Sequence, residues 1–433
     1  MSNDKINYKK WIALIVLILG GGTIYKLASI KDAFYVPLQT ELGLTHTQIG
    51  LALGLWGQVG TFGYFISVYL SDRFSKKILI PLGLIGVGFV GFYLTTLPSF
   101  YGFLLAFGLL GVFDTVIYWP PLLKAVRLLG DEDEQGRMFG FLEAGRGVVD
   151  TIVAFTALWI FAKLGEGLAG LRGGIIFYSV LPMVIGVISY FMLEDDRIPG
   201  VKEDASRREK DKVVLKGVLQ ALKMPEIWLV STTIFATYAI YTGLTYFIPF
   251  LNEIYALPAT MVGAYGIINQ YGLKMVGGPL GGFLADKTFK SASRFMRIAF
   301  IVAAVYMTIF IMLPHQSMPT VAGLVLSLGF GAIIFSMRGV FFAPIEEVQV
   351  PREITGAAMS IASFIGYAPY MFTYTIYGSI LDNNPGLAGY RIVFAVLVGE
   401  AILGILLSSL LVRTVKKKKE MKMEAEPTTG VVS

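Results

Sequence analysis

The feature that most constrains this chain is a series of apolar runs, each long enough to cross a lipid bilayer. The run from Ile78 to Leu97 is the clearest, because it contains no charged residue. A helix needs about 20 mostly apolar residues to span the hydrocarbon core. The chain has twelve such runs, with approximate bounds of 11–35, 47–71, 78–97, 99–125, 135–163, 173–193, 225–251, 259–284, 296–313, 319–343, 355–381 and 390–412. The sequence therefore predicts an all-α membrane protein with twelve transmembrane helices.

Composition excludes several other classes of protein. Only 15% of the 433 residues are charged, whereas about 25% is usual in a soluble protein. The chain has no cysteine and two histidines, His46 and His315, so we expect no disulfide, thiol nucleophile or His-rich metal site. Neither a phosphate-binding Walker loop nor a catalytic triad motif is visible. We expect no enzyme activity and no metal or cofactor. The net charge of +6 clusters at helix ends, which is not the pattern of a nucleic-acid surface.

Lysine and arginine predict the orientation, because cytoplasmic loops carry an excess of both. The basic residues occur in the N-terminal segment, after the second, sixth and eighth helices and in the C-terminal tail, at Lys5, Lys9, Lys10, Arg73, Lys76, Lys77, within 194–224, and at Lys287, Lys290, Arg294 and Lys416 to Lys419. With twelve spans, all of them lie on one side, and the opposite loops are short and nearly uncharged. We expect a multi-pass protein of the cell (inner) membrane with both termini cytoplasmic.

Two segments of the chain match each other at about half its length. One reads FYVPLQTELGLTHTQIG and the other reads YFIPFLNEIYALPATMVG. Pro37 pairs with Pro249 and Glu41 with Glu253, both at an offset of 212 residues. Repeats of this kind build transporters whose substrate site lies between two halves. We expect an N-terminal six-helix bundle over 1–193, a cytoplasmic linker over 194–224, a C-terminal six-helix bundle over 225–413 and a cytoplasmic tail over 414–433.

Two loops carry a resemblance to a known family. SDRFSKK around Asp72 resembles the signature loop of the major facilitator superfamily, and ADKTFKSASR around Asp286 resembles the loop of its second half. Within the superfamily, the chain is most similar to the organophosphate:phosphate antiporter group. The resemblance implies two pseudo-symmetric six-helix bundles, the major facilitator fold, and a gate in which each loop carboxylate meets a helix start. Asp72, next to Arg73, would meet the eleventh helix near Thr355–Gly356. Asp286 would meet the fifth helix near Gly136.

The sequence departs from that group at its substrate-binding positions. The resemblance implies one arginine in the first helix and one in the seventh, which together hold phosphate. Alignment on the two proline segments places Ser29 at the first position, with Lys26 one turn before it, and Tyr241 at the second. A phosphate dianion would lose its bidentate partners. We therefore expect a monoanion such as a carboxylate or sulfonate, or a polar neutral or zwitterionic compound.

Ionisable side chains at membrane depth are costly, so each is a candidate for a functional role. Lys26 lies in the first helix, past the midplane of the membrane. Lys31 can either bind an anion or reach the outer interface beside Asp32. Asp114 and Arg338 lie at similar depth in the fourth and tenth helices. They can form a switchable pair, with a proton on Asp114 and an anion on Arg338, or each can have a separate structural partner. With three polar side chains of the seventh and eighth helices, the predicted substrate-binding residues are Lys26, Lys31, Asp114, Tyr241, Asn269, Gln270 and Arg338.

The fifth helix carries Glu143, Arg146 and Asp150 at spacings of three and four residues, which places them on one face. Arg146 can pair with either carboxylate, and the remaining acid can then carry a proton. The alternative is a packing network next to the cytoplasmic gate. The predicted coupling or gate residues are Asp72, Arg73, Glu143, Arg146, Asp150 and Asp286.

The combined pattern predicts a secondary active transporter. We expect it to move a small organic anion of the carboxylate or sulfonate type by alternating access, with proton coupling or exchange. The alternative is an exporter of amphipathic drug-like compounds, which would favour an apolar cavity with one or two acids, whereas Lys26 and Arg338 favour anions. The expected partners are a small-molecule substrate, the lipid bilayer and, for a coupled mechanism, protons, with the chain as a monomer.

Overall fold

The computed structural model describes residues 8–130, 134–195, 216–351 and 354–425, apart from the side chains of residues 64, 65, 68, 72 and 422–425. These residues are almost all helical and include no strand, which confirms the predicted all-α fold. They form twelve long helices, with bounds of α1, Tyr8–Thr23 and Lys31–Leu42; α2, His46–Arg73; α3, Lys76–Leu94; α4, Phe100–Leu129; α5, Gln135–Lys163; α6, Leu168–Met192; α7, Pro225–Tyr255; α8, Ala259–Ile267, Ile268–Gly272, Leu273–Phe283 and Leu284–Thr288; α9, Ala292–Met312; α10, Thr320–Arg338; α11, Thr355–Gly366 and Thr373–Asn383; and α12, Leu387–Ala425. Each predicted span coincides with one of these helices, although the bounds differ by several residues.

Eight of the described helices are long and apolar enough to cross a membrane by length and composition alone: α3, α4, α5, α6, α7, α9, α10 and α12. The other four, α1, α2, α8 and α11, all make contacts between the two halves of the chain. α1 and α11 are each broken into shorter segments, of 16 and 12 residues in α1 and of 12 and 11 residues in α11, which are too short to cross a bilayer singly.

α1 is irregular in two places, at the turns of residues 24–30 between its segments and at a kink near Phe34, and Pro37 accounts for the second. Pro37 lacks a backbone N–H and its ring clashes with the carbonyl four residues earlier. Phe34 departs from helical geometry, with φ −127° and ψ 26°. The carbonyl oxygen of Asp32 then faces α8, where Gly266 leaves space that a Cβ would fill. The break therefore brings the backbone of α1 against a helix of the other half.

The two halves, α1–α6 and α7–α12, meet along α2 with α11 and along α5 with α8. Gly50 of α2 packs on the backbone of Tyr374, and Gly378 of α11 packs on the backbone of His46, so a Cβ at either glycine would collide with a carbonyl oxygen. Such close approach between membrane helices depends on small residues. Because α2 corresponds to α8 and α5 corresponds to α11, these two interfaces are equivalent, which supports the pseudo-symmetric arrangement. Most of the predicted linker, 194–224, lies outside the described residues.

The halves are joined tightly at the end of the bundle away from the termini, here called the far end. The carboxylate of Asp382 in α11 accepts hydrogen bonds from the backbone N–H groups of His46 and Thr47, at 3.1 and 2.8 Å. It thereby caps the N-terminus of α2 from the opposite half. Nε2 of His46 also lies 3.3 Å from Oε1 of Glu253 in α7. These contacts close the far end.

The opposite end, here called the termini end, is open between the halves. Gly136 at the start of α5 and Gly356 at the start of α11 have no atom within 4 Å of the position a Cβ would take. Asp286 is exposed, and it makes no hydrogen bond or ion pair with another described residue. The predicted contact of Asp286 with the start of α5 is therefore not formed in this conformation. The side chain of Asp72 lies outside the described residues, so its predicted contact stays a prediction.

Candidate functional site

A cavity lies between the two halves and has an empty volume of about 540 Å³ with its open mouth included. Three of its lining residues come from α1, two from α5, one from α7, three from α8 and one from α10. In chain order they are Tyr25, Ser29, Asp32, Arg146, Asp150, Tyr241, Gln270, Tyr271, Lys274 and Arg338. This position between the two halves is usual for the substrate site of a transporter.

The break in α1 places two lysines beside carboxylates. Nζ of Lys26 lies 2.7 Å from Oδ1 of Asp150 in α5, and Nζ of Lys31 lies 2.5 Å from Oδ1 of Asp32. Tyr271 of α8 covers this group, because its ring centroid lies 3.7 Å from Nζ of Lys26 and its hydroxyl donates to Asp32 at 3.1 Å. Both lysines are buried behind the cavity wall. Each lysine already has a carboxylate partner and neither lines the cavity, so their role in substrate binding stays a prediction.

The charges of α5 are also paired. Nη1 of Arg146 donates to Glu143 at 2.7 Å and its Nε donates to the carbonyl of Gly21 at 3.0 Å. The guanidinium carbon lies 4.7 Å from the ring centroid of Trp119. Arg146 therefore pairs with Glu143, while Asp150 pairs with Lys26. Both acids of this face therefore have a cationic partner in this conformation, and the role of this face in proton coupling stays a prediction.

Arg338 is the last residue of α10, where the helix stops inside the bundle at Gly339. The negative end of the helix dipole favours a cation at that position. Its guanidinium carbon lies 3.9 Å from the ring centroid of Tyr241, and Nη2 donates to the hydroxyl of Tyr238 at 3.0 Å. The buried Nε has no hydrogen-bond partner, and no described carboxylate lies within ion-pair distance. Aromatic rings thus hold a cation whose charge is not compensated.

Lys274 of α8 is a further cation that the sequence analysis missed. It lines the cavity and is accessible to solvent there, and it makes no hydrogen bond or ion pair with another described residue. The signal was present in the sequence, because Lys274 interrupts the apolar run predicted as the eighth span. Applying the rule for ionisable residues at membrane depth to this span would have identified it.

Polar groups of α7 and α8 complete the wall. The hydroxyl of Tyr241 donates to Oε1 of Gln270 at 3.0 Å. Gln270 and Tyr271 belong to a π-helical stretch, Ile268–Gly272, and such stretches are frequent at functional sites. Asn269 lies in the same stretch but points away from the cavity, because it is fully buried and packs on Gly331 of α10.

Two other predicted residues lie outside the cavity. The carboxylate of Asp114 accepts hydrogen bonds from Nε1 of Trp56 at 2.9 Å and from the hydroxyl of Thr115 at 2.7 Å, and it is fully buried. The Asp114–Arg338 pair is therefore absent here, and the alternative of separate partners describes the structure. Arg73 is exposed at the end of α2 and donates to the hydroxyl of Tyr69 at 2.5 Å.

The charge balance around the cavity follows from these pairs. The described cations are Lys26, Lys31, Arg146, Lys274 and Arg338, and the carboxylates are Asp32, Glu143 and Asp150. Three cations are paired one to one. The other two, Lys274 and Arg338, both belong to the second half and face the cavity, so its wall carries two uncompensated positive charges.

Comparison with known proteins agrees with this architecture. A family model described as Major Facilitator Superfamily matches residues 12–374. Inner membrane protein YihN of Escherichia coli (strain K12) is 47% identical over 422 residues, which cover 96% of this chain and 99% of that protein. Inner membrane protein YqcE of the same strain is 29% identical over 405 residues, covering 93% and 94%. The crystal structure of a D-xylose-proton symporter superposes with a TM-score of 0.74 at 15% identity, covering 94% of this chain and 98% of that one.

The family match spans most of both halves, and the structural likeness shows the same fold. The narrower resemblance to the organophosphate:phosphate antiporter group stays a prediction. The twelve-helix membrane fold, the cavity between the halves and the family match lead to one conclusion: the chain belongs to the Major Facilitator Superfamily and is a membrane transporter, not an enzyme.

Proposed function

We propose that this transporter moves a small organic anion of the carboxylate or sulfonate type. The observation that carries the proposal is the pair of uncompensated cations, Lys274 and Arg338, on the cavity wall. An unpaired charge inside a membrane protein is costly, and an anion that enters the cavity compensates it. The Tyr241 ring under the guanidinium and Gln270 beside it supply additional polar and aromatic contacts.

The cavity fits the alternative, an exporter of amphipathic drug-like compounds, less well. Such a transporter needs acids that are free to attract cationic compounds. The two carboxylates that line this cavity, Asp32 and Asp150, each have a lysine within 3 Å. No lining carboxylate of the described residues is left for a cationic ligand.

The proposed mechanism is alternating access between the two halves. The far end is closed by Asp382 and Glu253 against the start of α2, whereas the termini end is open. Because the Lys- and Arg-rich segments lie at the termini end, we assign that end to the cytoplasm. The conformation is then inward-open, and transport requires the far end to separate while the termini end closes. Proton coupling and exchange are both compatible with this cycle.

The proposal is tested with purified protein in proteoliposomes. Uptake of a panel of labelled carboxylates and sulfonates is measured with and without a pH gradient, and with and without unlabelled acid inside. We expect saturable uptake of at least one acid, with stimulation by the gradient identifying proton coupling and stimulation by internal acid identifying exchange. Vesicles without protein are the control. Efflux of cationic dyes without transport of any acid would overturn the proposal in favour of the exporter.

A further inference from the structure

We propose that the substrate carries two separate acidic groups, and that Lys274 binds one of them while Arg338 binds the other. The inference rests on the proposed function, since it specifies the anion further. It also changes the expectation of a monoanion, which depended on the absence of paired arginines and did not take Lys274 into account.

Arg338 has the geometry of a fixed anion site. Its guanidinium is held by the Tyr241 ring on one face and by the Tyr238 hydroxyl at one nitrogen. These contacts leave the charge uncompensated and leave Nε without a partner. A planar guanidinium held in one orientation can bind a carboxylate or sulfonate through two parallel hydrogen bonds.

Lys274 and Arg338 are presented by two different helices. Lys274 belongs to α8, whereas Arg338 ends α10 and packs on α7 through Tyr241. α8 and α10 pack on each other at Gly278 and Gly339, so the two free cations face one cavity from neighbouring helices. Each can bind one acidic group of the same ligand.

Electrostatics favours the same substrate. The three other cations around the cavity are each matched by a carboxylate, so a monoanion would leave one positive charge uncompensated when the cavity closes around it. In the low dielectric of a closed site, that charge is unfavourable. A ligand with two acidic groups compensates both free cations, Lys274 and Arg338.

The test compares matched ligands. Dissociation constants of malonate, succinate, glutarate and adipate are measured by titration calorimetry on purified full-length protein at pH 7.5, together with those of their monoamides. Each monoamide has about the same length as its parent diacid but carries one negative charge fewer. We expect at least one diacid to bind about ten-fold more tightly than its monoamide, as for one charge-assisted hydrogen bond.

Variants assign the two groups. In Lys274→Gln, binding of the diacid should weaken about ten-fold while the affinity for the monoamide stays the same. Lys274→Arg should retain the preference for the diacid over the monoamide. In Arg338→Gln, binding of both the diacid and the monoamide should weaken. Lys163→Gln removes an exposed lysine at the end of α5 and should change neither affinity. Correct folding of each variant is checked by size-exclusion chromatography and helical circular dichroism.

Several outcomes would overturn the inference. Equal affinity for diacids and monoamides, or a diacid preference that survives in Lys274→Gln, removes the role of Lys274. If propyl phosphate, a dianion with one acidic group, binds more tightly than the diacids, a single acidic group is enough to compensate both cations. If only monoacids are transported, this inference fails and the proposed function stands. If no organic acid is transported, the proposed function itself fails.

Discussion

The two halves share one scaffold but use the charges around the cavity differently. In the first half, Lys26, Lys31 and Arg146 each contact a carboxylate of that half, at 2.5 to 2.7 Å. In the second half, Lys274 and Arg338 have no carboxylate partner among the described residues. The charged residues of this bundle thus fall into two groups. Paired charges stabilise the fold, and unpaired charges are available to a ligand.

The equivalent helices α4 and α10 show this most directly. α4 contains a π-helical stretch, Gly111–Tyr118, that turns Asp114 towards Trp56 and Thr115. α10 stops at Arg338 and leaves its guanidinium on an aromatic surface. Both helices are irregular at similar depth. In α4 the irregular stretch gives the carboxylate of Asp114 its hydrogen-bond partners, whereas in α10 the helix end leaves Arg338 without a carboxylate partner among the described residues.

The largest effect is expected from breaking an ion pair of the first half. Lys26→Met leaves the carboxylate of Asp150 buried without its partner, 2.7 Å away in the native protein. We expect a loss of about 3–5 kcal/mol in the free energy of unfolding, measured by denaturant titration in detergent. The double variant with Asp150→Asn should recover most of this loss. A single variant as stable as the native protein would show that the pair does not support the fold.

The next effect concerns anion binding by the second half. Arg338→Gln should weaken the best-bound organic acid by about 30-fold or more, because a desolvated charge contact of this kind contributes about 2 kcal/mol or more. Titration calorimetry measures the change. Arg391→Gln, at an exposed arginine near the start of α12, is the matched control. If both variants bind equally well, Arg338 is not the anion site.

A smaller effect is expected at Tyr241. Tyr241→Phe keeps the ring under Arg338 but removes the hydrogen bond to Gln270, which is 3.0 Å long. Gln270 then loses the partner that orients it in the cavity wall, and a loss of about 1 kcal/mol in binding free energy corresponds to about five-fold weaker binding. Tyr241→Leu, which also removes the ring, should weaken binding further. An unchanged affinity in Tyr241→Leu would mean that the aromatic surface does not orient the arginine.

The smallest effect on binding is expected at Asp114. Asp114→Asn retains an acceptor for Trp56 and lies outside the cavity wall. We expect the affinity for the organic acid to change by less than about three-fold, since less than 1 kcal/mol of binding energy is involved. A loss comparable to that of Arg338→Gln would instead support the Asp114–Arg338 pair, formed in another conformation of the cycle.

The sequence alone determined the membrane fold, because apolar runs of about 20 residues have few alternatives to a bilayer helix. It also determined the division into two halves, through the matched segments at Pro37 and Pro249. Of the predicted site residues, Tyr241, Gln270, Arg338, Arg146 and Asp150 line the cavity. These residues are polar or charged at membrane depth, which is a property that can be read from the chain.

Only the tertiary structure decided which charges are paired. The spacing of Glu143, Arg146 and Asp150 allowed either acid as the partner of the arginine, and the approach of Lys26 from α1 decided between them. Lys26 and Arg338 looked alike in the sequence as cations inside apolar helices. One is compensated and the other is free, because the partner of a side chain depends on helix rotation, kinks and distances between helices that are distant in sequence.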